Sequence, residues 1–485
     1  MSDNSMSPPA GNRADSGLAE AKLTTWHAVA QSLAIGPIYS AAIFGALIAA
    51  TAGGVAPAVV VISVVGALAL AWVVACYARR YAGSGTVYEY ISNVLGRRSG
   101  VAASLGYGLA LLFLGPPFFL VAGLLFQSFA IAHLGFDPGW WTGAVGGLAI
   151  VVALQLLGVA LSVRVQLALT ALSAIPILVL AIVIIAKGGA GGNTLSVFNP
   201  ASSTHGDVFR ALLFAVTLFI GFEAAASLGE ETADPHRSIP RAVIGTVCLT
   251  AGWFVLVIYA GTIGFGPGQS AELWGSDPNG LATLAHQYVG TGDATLIEVA
   301  VLLDILAVWM ALTNSLARLA FALGRDKVLP AAFTRTTARG VPWVGIVGCA
   351  LVALAMLFAT AVVTLEERFT MLSILILPGI LAVQAIYALL AVAAVKIVRP
   401  GLRWLVLVAA AAVPVLGIYG TIHPFPEGPV RWGIWLTLIG IAACALWFAY
   451  LSLRRPSALE SVPHLADGGI AIAAESPVAI EGERA

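Results

Sequence analysis

Twelve apolar runs, each about twenty residues or longer, set the terms on which this chain can fold. They fall at 27–50, 55–78, 100–132, 140–161, 165–187, 208–229, 240–265, 293–322, 342–364, 369–397, 403–422 and 431–453. An α-helix needs about 20 apolar residues to cross ~30 Å of hydrocarbon. Lipid offers no partner for backbone N–H and C=O groups, so runs of this length must satisfy them internally as helices. The predicted class is therefore an all-α membrane protein with twelve transmembrane helices. Charged residues make up 10% of the 485 positions, against roughly 25% in a soluble domain.

The basic residues test both the count and the orientation, because Lys and Arg collect on the cytoplasmic side of short loops. With the N-terminus inside, 20 of the 24 basic residues fall on the cytoplasmic side. Lys187, Arg210, Arg368 and Arg431 alone fall outside. Losing or gaining one span would invert every later loop and erase that asymmetry. Twelve spans in the cytoplasmic membrane, with both termini cytoplasmic, follow. Residues 1–24 and 455–485 are polar or of low complexity and read as disordered tails. The zero net charge recommends no nucleic-acid partner.

Two of the runs are interrupted near their middle. The first contains Gly36-Pro37-Ile38-Tyr39-Ser40-Ala41-Ala42, and the sixth contains Phe219-Ile220-Gly221-Phe222-Glu223. A carboxylate at that depth costs about 2.5 kcal/mol or more on insertion scales, which marks Glu223 as functional by default. The interrupted spans stand five apart, and five is odd, so the second set of five begins on the opposite side of the membrane. That is the arithmetic of an inverted repeat, residues 25–187 against 205–397, with broken helices at its centre. Residues 400–453 then supply two peripheral helices.

Three motifs carry a family resemblance. The stretch 219–241, FIGFEAAASLGEETADPHRSIPR, joins a Gly-Phe-Glu core and an acidic pair to a Pro-x-Arg-x-x-Pro-Arg loop. Asn314-Ser315-Leu316-Ala317-Arg318 is followed by Gly324-Arg325-Asp326-Lys327-Val328-Leu329-Pro330 and Val341-Pro342. Between the second and third runs stands Tyr81-Ala82-Gly83-Ser84-Gly85-Thr86-Val87-Tyr88-Glu89-Tyr90. Together these resemble the amino acid–polyamine–organocation (APC) transporters along residues 25–453. The resemblance implies a LeuT-type fold of ten core helices plus two. It also implies a mid-membrane site between the unwound parts of spans 1 and 6, for an amino acid or a related amine. Backbone N–H groups of span 1 would hold a carboxylate, and carbonyls at the breaks an amine, consistent with the partial charges of half-helix ends. The family's Gly-Ser-Gly-Ile-Phe is here Ser40-Ala41-Ala42-Ile43-Phe44. Alanine leaves the helix less readily than glycine, so the break moves upstream toward Gly36-Pro37. Amine, polyamine and potassium substrates stay open.

The resemblance also bears on coupling. Proton-coupled relatives often carry a lysine in span 5, and Ser173 stands at or near that position here. Span 5 has no lysine before Lys187. Proton coupling through a carboxylate, sodium coupling, exchange and uncoupled passage all stay open.

The substrate-binding candidates are Gly36, Pro37, Tyr39, Ser40, Ala41, Ala42, Phe219, Ile220, Gly221 and Asp304. Asp304 lies mid-span in Leu302-Leu303-Asp304-Ile305-Leu306, with Ala307, Ala311 and Ser315 near its face and Trp309 away from it. It either recognises an amine, titrates as a coupling group, or ties its helix to a neighbour. Glu223, Ser173 and Tyr107 are the coupling or gating candidates. Glu223 serves equally well as a brace for the broken backbone. Phe219 either closes over a solute or packs. No His pair has metal-ligand spacing within one element, and the four cysteines lie in apolar runs as packing residues. Neither metal nor cofactor is expected. No P-loop, nucleophile elbow or HExxH motif points to an enzyme.

Overall fold

A computed structural model describes residues 24–33, 37–81, 87–202, 205–232, 234–277, 279–362, 365–398 and 401–460. The chain runs through α1 (Thr25–Leu33), α2 (Pro37–Ala52), α3 (Ala56–Ala78), α4 (Val87–Leu95), α5 (Arg97–Leu114) and α6 (Phe118–Phe129). It continues with α7 (Trp140–Leu156), α8 (Val159–Lys187), α9 (His205–Thr217), α10 (Pro235–Phe265), α11 (Ser270–Leu273) and α12 (Gly280–Tyr288). The last third holds α13 (Thr291–Arg325), α14 (Trp343–Ala361), α15 (Leu365–Ala393), α16 (Arg403–Ile422), α17 (Arg431–Arg454) and α18 (Pro456–Glu460). Ten helical stretches among the described residues are long and apolar enough to cross a membrane. One of them, Ser40–Ala78, covers most of the first two apolar runs, and Trp140–Leu156 is a shorter apolar helix.

Most boundaries follow from backbone chemistry. The first run is described as α1 up to Leu33 and α2 from Pro37, and a proline suits the first turn of a helix, where its missing N–H costs nothing. Gly36 lies outside the described residues. The third run divides because Pro116 and Pro117 have no N–H to give the helix. A turn carries the chain instead, with the Phe118 N–H donating to the Gly115 carbonyl at 3.2 Å. The run expected at 140–161 stops at Leu156, because Gly158 adopts φ +131°, a conformation closed to other residues. The periodicity of apolar residues alone does not register that stop.

The helices pack in pairs. α3 lies against α10, α8 against α13, α5 against α15, α6 against α7 and α13 against α14. Small residues allow the close approaches, as is usual where lipid supplies no hydrophobic drive between helices. A Cβ on Gly379 of α15 would meet the Leu114 nitrogen at 2.8 Å. A Cβ on Gly420 of α16 would lie 2.4 Å from the Phe209 backbone, so α16 is docked flush on α9. At one end of the bundle, the Tyr88 hydroxyl of α4 donates to Asp326, just past α13. Two of the three sequence motifs meet there. Burial pushes the Asp326 carboxyl up to about 7.

Candidate transport site at the broken helices

The sixth run breaks at its glycine. α9 ends at Thr217, residues 218–221 form a turn, and a 3-10 segment follows over Phe222–Glu231. Gly221 takes φ +101°, a value that a side chain would strain. The turn satisfies part of its own backbone: the Phe219 N–H donates to Val216, Ile220 to Thr217 and Phe222 to Phe219. The carbonyls of Leu218 and Ile220 accept no backbone hydrogen bond among the described residues. They are acceptors facing a break, the arrangement that suits a cation.

Glu223 is 1% exposed and spends both oxygens on the fold. Oε1 accepts from the Tyr107 hydroxyl of α5 at 3.0 Å. Oε2 accepts from the Tyr387 hydroxyl of α15 at 2.7 Å and from the Gly221 N–H at 3.0 Å. A charge-assisted hydrogen bond is worth about 1.5–3 kcal/mol, so three of them offset much of the cost of burying the carboxylate. Glu223 thus pins the break to two helices from opposite halves of the chain. Tyr387 is absent from the sequence candidates, since one tyrosine in an apolar run carries no sign of its partner. A buried tyrosine hydroxyl does need one.

Ser32 is the other residue that sequence reasoning missed. Its Oγ donates to the Phe222 carbonyl at 2.8 Å and accepts from the Ala225 N–H at 2.9 Å. α1 is therefore stitched to the 3-10 segment beyond Gly221, and the first and sixth apolar runs meet there. α2 is described from Pro37, and the N–H groups of Ala41 and Ala42 stand within it. The side chains of Pro37 and Tyr39 lie outside the described residues. Ser40, Ala41 and Ala42 are buried in the first turns of α2.

A cavity of about 20 Å³ lies beside the break, lined by Ser40, Phe44, Leu114, Phe118, Thr217, Ile220, Val308 and Leu312. That admits a water molecule and no more. Any larger solute requires α2, the 218–221 turn or α13 to move apart. Phe219 does not line this space; its ring packs edge-on against Phe254 of α10 at 5.2 Å. Asp304 does not line it either. It is fully buried, one turn below Val308, and accepts from the Thr170 hydroxyl of α8 at 3.3 Å. One turn along the same seam, Ser173 donates to the Ala300 carbonyl at 2.9 Å. Asp304 and Ser173 are thus brought together, α8 to α13, but beside the break rather than in it. Trp309 faces away, edge-on to Phe119 at 4.1 Å. Among the described residues, no group of three or more His, Cys, Asp or Glu is placed to hold a metal ion.

Residues 23–453 match the family described as "Amino acid permease". The chain is similar to a methylthioribose transporter of Bacillus subtilis, at 28% identity over 62% of this chain and 67% of that protein. It is similar to the low-affinity putrescine importer PlaP of Escherichia coli, at 28% identity over 59% of this chain and 64% of the importer. A third similarity is to the branched-chain amino acid permease BcaP of Lactococcus lactis, at 28% identity over 28% of this chain and 29% of the permease. The aligned parts thus span about two thirds of the first two relatives and less than a third of the last.

Proposed function

The chain belongs to the amino acid permease family of the APC superfamily, and from that premise we propose that it is a secondary active permease for an amino acid or a related amine. Transport runs by alternating access around the breaks of spans 1 and 6, in the cytoplasmic membrane. The observation that carries this reading is the pair of Ser32 hydrogen bonds, which ties the first apolar run to the chain just past the Gly221 break at one buried point. Ile38 and Tyr39 N–H groups serve the carboxylate there, and the Leu218 and Ile220 carbonyls serve the amine. The near-absence of space at that point supports a moving site over a standing pore.

Twelve crossings, with both termini cytoplasmic, accommodate the ten long stretches when Ser40–Ala78 is divided at Gly53–Val55 and Trp140–Leu156 is counted. The packing pairs support the inverted repeat. Exchanging each span for the one five places away maps the α3–α10 contact onto itself. The same exchange maps α8–α13 onto α15–α5, and α6–α7 onto α13–α14. The relatives' named solutes range from putrescine to branched-chain amino acids, so amine without carboxylate is the second reading. It is favoured by the regular helix at Ala41 and Ala42, which withholds the N–H groups that a glycine-rich break would free. The coupling ion is a proton or sodium, and no cofactor takes part.

The test is uptake into proteoliposomes of labelled amino acids, putrescine and potassium, with proton and sodium gradients imposed separately. Saturable uptake of an amino acid or amine, driven by one gradient, is expected. Uptake of none of the amino acids or amines, or passage of potassium alone, overturns the reading.

A further inference from the structure

A far larger space than the one beside the break lies elsewhere. A cavity of about 550 Å³ opens between α2, α9, α15 and the loop joining α16 to α17. Its lining is mostly apolar, with Phe214 and Phe425 among the larger side chains, but two opposite charges stand on it: Arg210 of α9 and Glu427 of the loop. Neither has an ion-pair or hydrogen-bond partner among the described residues. Opposite charges that share a largely apolar cavity without pairing leave their favourable energy to a third body. An arginine fork takes a carboxylate through two parallel hydrogen bonds, and a glutamate takes an ammonium. A solute with both groups, and an apolar side chain for the remaining wall, satisfies the whole cavity.

The cavity is also placed to serve the break. Arg210 precedes Thr217 by seven residues, about 10 Å along α9 at 1.5 Å per residue. Phe44 lines both this cavity and the small space beside the break. Phe44 is thus a wall common to the two spaces.

We propose that this cavity is a staging site for a zwitterionic amino acid with an apolar side chain, its carboxylate on Arg210 and its ammonium on Glu427, with Phe44 as the partition to the break. The proposal rests on the transport reading for its purpose, while binding at the cavity can be measured without transport.

The test uses the full chain with its four cysteines replaced by alanine and Ser373→Cys added on the cavity wall. It is reconstituted in phosphatidylcholine and phosphatidylglycerol, lipids that carry no primary amine. The rate at which a maleimide labels the new thiol is measured with leucine, with leucine methyl ester (no carboxylate) and with 4-methylpentanoate (no amine). Leucine is expected to slow labelling at least fivefold, and the two single-charge analogues less than twofold. Arg210→Ala is expected to abolish that protection, Arg210→Lys to keep part of it and Glu427→Gln to weaken it. Arg210 and Glu427 are exposed, so these variants are expected to keep the parent's melting temperature. Absent protection, equal protection by the analogues, or protection unchanged in Arg210→Ala overturns the proposal. Leucine uptake is followed in the same vesicles. Protection without uptake keeps the staging site and sinks the transport reading for this solute; uptake without protection does the reverse.

Discussion

Glu223 and Asp304 are both carboxylates buried at membrane depth, yet they do different work. Glu223 stands where the backbone has left the helix, and it takes three hydrogen bonds from three separate elements. Asp304 stands in the middle of α13, an unbroken helix of 35 residues whose backbone needs no help. It accepts a hydrogen bond from Thr170 across a seam that Ser173 also closes. Depth alone therefore does not assign a charge its role. A carboxylate beside a break is required by the backbone around it. One in a regular helix is not, and a function of its own is a better reason for its presence.

The largest effect is expected at the brace. Glu223→Ala leaves the Tyr107 and Tyr387 hydroxyls and the Gly221 N–H buried without their acceptor. Each orphaned group costs about 1–3 kcal/mol, so the expected result is loss of uptake with a clearly lowered melting temperature in detergent. Normal uptake and stability in that variant would put Glu223 on the same footing as Asp304 and erase the contrast. Gly221→Ala sharpens it from the backbone side. At φ +101° an alanine costs about 1–3 kcal/mol of strain, expected as a roughly tenfold fall in uptake rate with a smaller thermal shift than Glu223→Ala. A fall as small as a surface alanine gives would mean that the turn at 218–221 can relax freely.

How much of this was legible in the sequence divides along the same line. Run length located the long apolar helices, ten of them among the described residues, and the cost of a buried charge singled out Glu223, because both depend on composition along one stretch of chain. The turn at Pro116 and Pro117 follows from those residues alone, because proline has no N–H wherever it sits. Ser32 and Tyr387 were not legible. Each matters only through a partner about 190 and 164 positions away, and a lone hydroxyl in an apolar run looks the same with or without one. Arg210 was read as one of four outside charges. Its place on a cavity with Glu427 depends on α16 packing flush against α9, which no local pattern announces.

The smallest structural effect and the most telling functional one are expected at Asp304. In Asp304→Asn the side-chain carbonyl still accepts from Thr170, so the α8–α13 seam keeps its hydrogen bond and the melting temperature is expected to move by less than the equivalent of about 1 kcal/mol. What the variant removes is the ability to change charge. If Asp304 couples transport to protons, uptake by the asparagine protein loses the pH dependence of the parent while the protein stays folded. If it holds the amine directly, KM rises for every solute with an ammonium group and the pH profile keeps its shape. Thr170→Ala separates both from a purely structural tie, since it breaks the seam and leaves the charge in place. Uptake kinetics unchanged across pH in Asp304→Asn, with Thr170→Ala the more damaging of the two, would make Asp304 a second brace and end the distinction.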